Sequence, residues 1–318
     1  DSIEFNYEEN LFNLKKIDSM LIMVPLEQTD TKGNNYYTEI NTPIENISGK
    51  IYISDPAQRN KSTKFTIYPY FDCNDTSIVT FNKSKYGDRY SSENFKFKIY
   101  PFKLEQLANI DTDSLKFKGL LQSGDIFEEI ETNIQITKDR TLGLDIQIEP
   151  EGLKVFNGKG TVFGHLLLDQ DGLTFKGKIS KNNISFYTDS TLILPDSIHA
   201  NLNKWEAIQS SEMIAPILAG AESVMNWNPI NDSIHIQPNE QAEVSFYNQQ
   251  AIISGIFQIT NNQLNAAGDI KIGETNFKSD SIVLKPQIAE IDSVELAIID
   301  NSDKVFTSVI CDIIIDFE

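Results

Sequence analysis

The sequence predicts an all-β protein built from tandem repeats of strands. Apolar residues alternate with polar ones at a period of two, as in Leu142, Leu144 and Ile146, and this alternation is typical of half-buried strands. Clusters of Asn, Asp, Gly, Ser and Pro separate the alternating segments and favour tight turns. The chain also matches itself after a shift of 91 positions (255 − 164 = 91), which indicates an internal repeat.

The composition argues against several classes of protein. The 318 residues carry 27 Lys and Arg against 46 Asp and Glu, a formal net charge of −19, so we expect no nucleic-acid partner. No segment approaches the roughly 18 consecutive apolar residues of a membrane helix, so we expect no transmembrane span. The two cysteines, Cys73 and Cys311, leave open whether they form one disulfide or stay as two buried thiols.

Residues 1–108 form the first expected domain, an N-terminal β region rich in aromatic residues. Tyr36 and Tyr37 belong to this set, and an exposed stripe of such rings could bind a glycan or a partner protein. Core packing and strand propensity explain the same residues without a binding role. The first residues lack the features of a signal peptide, and both chain ends read as strands, so we expect a segment of a longer protein.

The repeat superposes residues 153–195 on residues 244–286 without a gap. Apolar pairs such as Leu166/Phe257 and Leu168/Ile259 fill the positions between the identical ones. The identical pairs are Asn157/Asn248, Gly164/Gly255, Leu173/Leu264, Gly177/Gly268, Ile179/Ile270, Phe186/Phe277, Asp189/Asp280, Ser190/Ser281 and Pro195/Pro286.

Four glycines of the repeat are expected to serve structure. Gly164, Gly177, Gly255 and Gly268 flank turns, at places where a bulge or a close neighbouring backbone excludes a Cβ atom. One such unit cannot bury both of its faces. We therefore predict an extended stacked sheet, either a solenoid or an open β-roll, with successive β-sandwich modules as the alternative.

A helical insertion is expected near residues 202–224, where good helix formers surround several large apolar residues. Residues 109–200 would then be the first β-repeat module, and residues 201–318 would hold the insertion followed by the second module. Because a helix is rarely required by a strand repeat, we expect this insertion to dock a partner protein. The expected contact residues are Trp205, Met213 and Trp227.

Four short runs carry a resemblance to a known group of proteins. They are residues 117–127, 152–160, 172–177 and 227–232. They resemble sequence motifs that recur in very long, exported, β-rich envelope proteins of Bacteroidota. The resemblance covers about residues 60–290 and carries no catalytic signature. It implies an extracytoplasmic segment, in the periplasm or at the cell surface, that is associated with the outer membrane and with other envelope proteins.

The same resemblance implies O-glycosylation at Asp-Ser dipeptides that precede an apolar residue. A plain turn-to-strand junction is the alternative interpretation of these dipeptides. The serines in question are Ser114, Ser197, Ser233, Ser281 and Ser293.

Motifs for enzymatic chemistry are missing from the sequence. It contains no nucleophile elbow, no zinc-protease helix and no phosphate-binding loop, so we expect no enzymatic activity and no cofactor. Asp169 and Asp171 lie in an Asp-x-Asp-Gly run that is a weak calcium candidate. The run lacks the closing acidic residue of a calcium loop, and a plain turn explains it.

Three functions follow from these observations. The leading one is a non-enzymatic structural or scaffolding segment of a large envelope protein. The first alternative is a lipid-carrying open β-roll of the periplasm, and the second is a carbohydrate-binding β protein. The lipid carrier requires an apolar space lined by Leu166, Leu168, Ile179, Phe257, Ile259 and Ile270.

Overall fold

The computed structural model describes residues 2–29, 31–33, 35–54, 67–107, 110–112, 115–211, 213–239, 242–299 and 305–317. Within these ranges the chain is all-β and its paired strands are antiparallel. No α-helix occurs in the described ranges, which include a short 3-10 turn at Gly87–Arg89. The all-β prediction is therefore confirmed.

The chain folds as two compact units. The first comprises residues 1–146 and 167–173, and the second comprises residues 147–166 and 174–318. Both expected domain boundaries, after residue 108 and after residue 200, fall inside these units.

The first unit contains an antiparallel sheet and a separate hairpin. Its strands are β1 (Ser2–Asn6), β2 (Leu11–Met20), β3 (Met23–Thr29), β4 (Asn35–Glu39), β5 (Ile44–Tyr52), β6 (Tyr70–Cys73), β7 (Ser77–Thr80), β8 (Phe95–Ile99), β9 (Phe102–Leu104), β10 (Lys116–Ser123), β11 (Ile130–Ile136) and β12 (Leu142–Gln147). The ladder runs from β1 through β2, β5, β7, β8, β10 and β11 to β12, while β6 joins β5 to β9. Strands β3 and β4 pair only with each other.

The second unit contains a long antiparallel meander. Its strands are β13 (Leu153–Val155), β14 (Gly160–Asp169), β15 (Gly172–Lys181), β16 (Ile184–Leu194), β17 (Ser197–Ala207), β18 (Leu218–Gly220), β19 (Ser223–Asn228), β20 (Ser233–Pro238), β21 (Val244–Phe246), β22 (Ala251–Ile259), β23 (Leu264–Ile272), β24 (Thr275–Leu284), β25 (Ile288–Ile299) and β26 (Val305–Asp316). The tip of the β14–β15 hairpin, residues 167–173, counts with the first unit.

At two positions in this meander, two short strands lie end to end and together take the place of one long strand. Strand β17 pairs with both β18 and β19, and β22 pairs with both β20 and β21. The short strands also pair with each other, β18 with β21 and β19 with β20. All other steps, from β15 to β17 and from β22 to β26, join strands that are consecutive in the chain.

The internal repeat extends further than the matching residues indicate. A shift of 91 carries β13–β16 onto β21–β24, and it also carries the bounds of β12 onto those of β20 (142 + 91 = 233; 147 + 91 = 238). The same shift places β17 on residues 288–298 of β25. Six strands in one copy thus have six counterparts in the other.

The predicted helical insertion at residues 202–224 is wrong. Strand β17 continues to Ala207, and β18 and β19 follow within the same stretch. Leu202, Trp205 and Ala207 are buried as parts of β17, because pairing with β16 overrides the helix propensity of the residues around them. Trp205 lies opposite Phe186 in this pairing.

The described residues between β17 and β18, 208–211 and 213–217, are held by one buried amide. Nδ2 of Asn183 donates to the carbonyl of Ala215 (3.1 Å) and to that of Ile208 (3.3 Å). The backbone N–H of Ile214 donates to Oδ1 of the same residue at 3.2 Å. These side-chain hydrogen bonds replace ladder bonds. The carbonyls of Ile208 and Ala215 and the N–H of Ile214 therefore have hydrogen-bond partners without a helix.

The four repeat glycines lie where two strands approach closely. A Cβ on Gly164 would lie 3.0 Å from Cα of Gly177 and 2.3 Å from the carbonyl oxygen of Lys176. In the second copy, Gly255 lies opposite Gly268, whose Cα would be 3.0 Å from a Cβ on Gly255. The approach explains why both copies keep glycine at these positions.

Candidate functional site

An apolar pocket in the first unit is the candidate binding site. It has a volume of about 340 Å³, which lies in the range of small-molecule pockets. The end of β2, the β3–β4 hairpin and the segment after β9 supply its walls. The lining residues are Met20, Leu21, Ile22, Met23, Pro25, Asn35, Tyr37, Leu104, Leu107, Ile110 and Leu115.

Strand alternation gives this pocket a buried base and an exposed rim. Ile22 and Leu115 are buried, and the carbonyl of Ile22 accepts a hydrogen bond from the N–H of Ile40 at 3.0 Å. Met23 and Tyr37 keep 48% and 56% of their surface exposed. A thioether and a phenol ring are adaptable apolar contact groups, so the rim is suited to an apolar partner.

Most of the residues that line this pocket are apolar. Asn35 and Tyr37 are the only polar residues in its lining, and neither lies beside a carboxylate or an imidazole of that lining. In the described part of the chain, no three His, Cys, Asp or Glu side chains are grouped closely enough to hold a metal ion. The pocket can therefore take up an apolar side chain or a small apolar molecule.

Two of the three expected partner-contact residues are core residues. Trp205 is 0% exposed and Trp227 is 1% exposed. Trp205 packs edge-on against Phe257 at 5.3 Å between ring centroids, and Trp227 packs against Phe156 at 5.6 Å. The docking role predicted for both tryptophans is therefore wrong, because their side chains cannot reach a partner. Met213 is half-buried in the loop after β17.

The serines of the Asp-Ser dipeptides lie in different environments. Ser114 lies outside the described residues, and Ser233 is buried. Ser197 is half-buried and bonds to Asp196 and to Nε2 of His199. Ser281 and Ser293 are exposed. Among the four described serines, Ser281 and Ser293 are the ones whose side chains are exposed to a modifying enzyme.

Asp169 and Asp171 form a tight turn at the tip of the β14–β15 hairpin. Oδ1 of Asp169 accepts the backbone N–H of Asp171 at 2.9 Å, and burial raises the pKa of the Asp169 carboxyl. This bond within the turn is the one expected of an Asx turn. The plain-turn interpretation therefore describes the observed geometry.

The two cysteines do not form a disulfide. Cys73 is buried and Cys311 is half-buried, and both are free thiols. Sγ of Cys73 lies 3.4 Å from Oγ of Ser77. Of the two possibilities that the sequence leaves open, the structure has two thiols.

The apolar residues assigned to a lipid groove are packed. All six have exposed fractions of 2% or less, and none lines the apolar pocket described above. Side chains that line an open groove remain accessible to solvent, so these residues fill a core. They are Leu166, Leu168, Ile179, Phe257, Ile259 and Ile270.

A buried ion pair in the second unit is a feature that the sequence analysis missed. Nζ of Lys181 lies 2.8 and 2.9 Å from the two carboxylate oxygens of Asp232, and the two side chains are only 2% and 7% exposed. Nε1 of Trp227 donates to the same carboxylate at 3.3 Å. One signal was present: Lys181 follows Ile179 at the strand period of two, which places a cation on a buried face.

A third polar group completes this cluster. Oδ1 of Asn261, in the turn between β22 and β23, lies 3.3 Å from Nζ of Lys181. The carbonyl of Lys159 accepts from the same ammonium at 3.4 Å, and the Trp227 ring lies under it at 5.5 Å. The three turns that carry Asn182, Asp232 and Asn261 therefore meet at one buried amine.

Comparison with known proteins gives no relative for this chain. No family model, no curated protein and no solved structure matches it. No helix in the described ranges is long and apolar enough to cross a membrane.

Proposed function

We propose that this chain is a non-enzymatic structural or scaffolding segment of a large, extracytoplasmic envelope protein that docks other envelope proteins. The observation that carries the proposal is the repeat of six strands at a constant shift of 91 residues. A stacked repeat builds a long sheet from one structural unit that recurs along the chain. Its acidic composition keeps such a long assembly soluble and away from anionic lipid surfaces.

The docking site in this proposal is the apolar pocket rimmed by Met23 and Tyr37. Its occupant is an apolar side chain on a partner protein, because the lining offers apolar surface and only two polar residues. The net charge of −19 favours a partner whose flanking residues are basic, since opposite charges speed encounter and fix orientation. An apolar anchor in a pocket with a polar surround is a common arrangement of interface hot spots.

A pull-down with matched variants tests this proposal. The tagged parent protein is purified in mild detergent from its own envelope, and co-purifying proteins and lipids are identified together by mass spectrometry. We expect stoichiometric envelope proteins with the wild type, and their loss with Met23→Glu, which places a charge on the pocket rim. Ile230→Glu is the control, because Ile230 is also exposed but lies in the second unit.

Two outcomes would contradict the proposal. Equal capture by Met23→Glu and by the wild type would remove the pocket from the docking role. Bound lipid without any stoichiometric protein would favour the lipid-carrier function instead.

A further inference from the structure

We propose that Lys181 and Asn261 become joined by an intramolecular amide bond, with Asp232 carrying the proton. This proposal concerns the covalent structure of the chain and does not rest on the proposed docking function. It would create a covalent link between the first and the second copy of the repeat.

The amine of Lys181 is within reach of the carbon that it would attack. Nζ lies 3.3 Å from Oδ1 of Asn261, and the C=O bond of a carboxamide is about 1.23 Å long, so Nζ is at most about 4.5 Å from Cγ. A rotation of the Asn261 side chain closes the remaining gap to the about 3–3.5 Å of a near-attack geometry. The backbone of this turn is itself held, since its carbonyl accepts from Nδ2 of Asn182 at 3.4 Å.

The site keeps the amine and its proton acceptor together and away from water. Lys181 and Asp232 are almost fully removed from water, and the ring of Trp227 covers the ammonium. The carboxylate oxygens of Asp232 lie 2.8 and 2.9 Å from Nζ, so the carboxylate is placed to take up a proton from the amine. The product of that transfer is a nucleophilic amine beside a neutral carboxylic acid.

The step balances without any added reagent. A proton passes from Nζ of Lys181 to the carboxylate of Asp232, and the neutral amine attacks Cγ of Asn261. A bond forms between Nζ and Cγ, the bond between Cγ and Nδ2 breaks, and the carboxylic acid delivers a proton to the departing nitrogen. The attacking nitrogen gives up its second proton, which passes through Asp232 to the same departing nitrogen. That nitrogen leaves as ammonium, the carboxylate of Asp232 is restored, and nothing is oxidised or reduced. Asn261 is exposed, so the ammonium has a path to solvent.

The arrangement differs from that of the other ion pairs in the described ranges. The side chains of the pairs Lys118–Glu131 and Lys176–Asp189 are more than half exposed to solvent. The Lys181 amine combines burial, a carboxylate and a carboxamide at hydrogen-bond distance. That combination supplies a nucleophile, a proton carrier and an electrophile at one point.

Intact-mass spectrometry of the purified, denatured full chain is the direct test. We expect a mass about 17 Da below the sequence mass, which is the loss of one ammonia. Peptide mapping should then give a branched peptide that joins the segment containing Lys181 to the segment containing Asn261. An unchanged mass and only linear peptides would overturn the proposal.

Variants separate the proposed bond from other reactions. Lys181→Arg, Asn261→Ala and Asp232→Ala should each restore the sequence mass, whereas the control Asn262→Ala should retain the loss. A succinimide at Asn261 also loses ammonia but does not need Lys181, so a loss that persists in Lys181→Arg contradicts the proposal. A loss of about 18 Da would indicate an amide between Lys181 and Asp232 and would also contradict it. If a variant fails to fold, the branched peptide of the wild type decides the question.

Discussion

The hydroxyl of Thr188 and the hydroxyl of Ser279 occupy the same position in the two copies of the repeat (279 − 188 = 91) and make the same bonds. Thr188 donates to the carbonyl of Asn201 at 2.8 Å, and Ser279 donates to that of Asp292 at 2.6 Å. Each hydroxyl also accepts the backbone N–H two residues later, at 3.1 and 3.0 Å. Both side chains are buried. The hydroxyl thus satisfies backbone groups where a strand irregularity interrupts the ladder.

Removal of either hydroxyl should destabilise the second unit. Thr188→Val and Ser279→Ala each remove the side-chain partner of one carbonyl and one N–H in partly buried hydrogen bonds, which costs about 0.5–1.5 kcal/mol per bond in the free energy of unfolding. Urea unfolding checks the change, with Ser254→Ala as the control because Ser254 is an exposed strand residue. Equal unfolding midpoints for Ser254→Ala and the two buried variants would show that these bonds contribute nothing.

A methyl group at the glycine crossing should be poorly tolerated. Gly164→Ala places Cβ 2.3 Å from the carbonyl oxygen of Lys176, at a φ of 148° that a side chain rarely adopts. Overpacking and backbone strain of this kind cost about 1–3 kcal/mol. The matched control is Gly158→Asn, because no atom lies within 4 Å of a Cβ there and Asn tolerates positive φ.

The measurement for the glycine variants is again the urea midpoint. The second copy supports the control, since its residue at the position of Gly158 is Gln249, with a φ of 69°. If Gly164→Ala were as stable as Gly158→Asn, β14 and β15 could move apart at Gly164 without loss of unfolding free energy, which would contradict the prediction.

Breaking the buried ion pair should cost more than removing both of its members. Asp232→Ala leaves the Lys181 ammonium buried and uncompensated, and breaking such a pair costs about 3–5 kcal/mol. The double variant Lys181→Met, Asp232→Leu removes both charges and should lose much less stability. Neither variant can form the proposed amide, so their difference in unfolding free energy measures the isolated charge alone. Equal losses of unfolding free energy in Asp232→Ala and in the double variant would disprove this account.

Alkaline conditions should destabilise the first unit through Tyr90. Burial raises the pKa of Tyr90 to about 12, against an ordinary value of 10.0, and its oxygen accepts the N–H of Leu173 at 3.0 Å. The folded chain keeps the phenol proton that the unfolded chain loses, so the stabilisation is complete below pH 10 and is lost as pH rises toward 12.

A pH series of unfolding free energies checks this effect. Between the two pKa values, one such group contributes a slope of about 1.4 kcal/mol per pH unit. Tyr90→Phe should flatten the curve by that amount, whatever its effect at neutral pH. An unchanged slope in Tyr90→Phe would mean that other groups cause the loss of unfolding free energy at alkaline pH. Tyr247 is one such group, because burial also raises its pKa.

The strand pattern and the repeat could be predicted because both are local or linear in the sequence. The period-two alternation predicts strands such as β12 and β14 directly, and the shift of 91 gives strand bounds that the structure reproduces. The segment around Trp205 was misjudged because helix propensity is a weak signal when a long neighbouring strand offers pairing. Its burial depends on Phe186 and Phe257, which lie far away in the chain.

The functional features depend on contacts that one sequence does not reveal. Lys181 ends β15, whereas Asp232 and Asn261 lie in two separate turns. Their meeting follows from how the meander packs on itself. The apolar pocket likewise joins the Met23 segment to Leu115 over about ninety residues (115 − 23 = 92). An aromatic-rich region was visible at Tyr36 and Tyr37, but its exposure was not.

The number of steps in the meander decides how the chain can lengthen. From β14 to β22 the chain passes β15, β16, β17, the β18–β19 pair and the β20–β21 pair, which makes six antiparallel steps in 91 residues (251 − 160 = 91). An even number of reversals restores the original direction, so β22 runs the same way as β14. Whole copies can therefore be added or lost in evolution without inverting the strands that follow. Loss of a single strand would reverse the polarity of every later one and move each turn to the opposite edge.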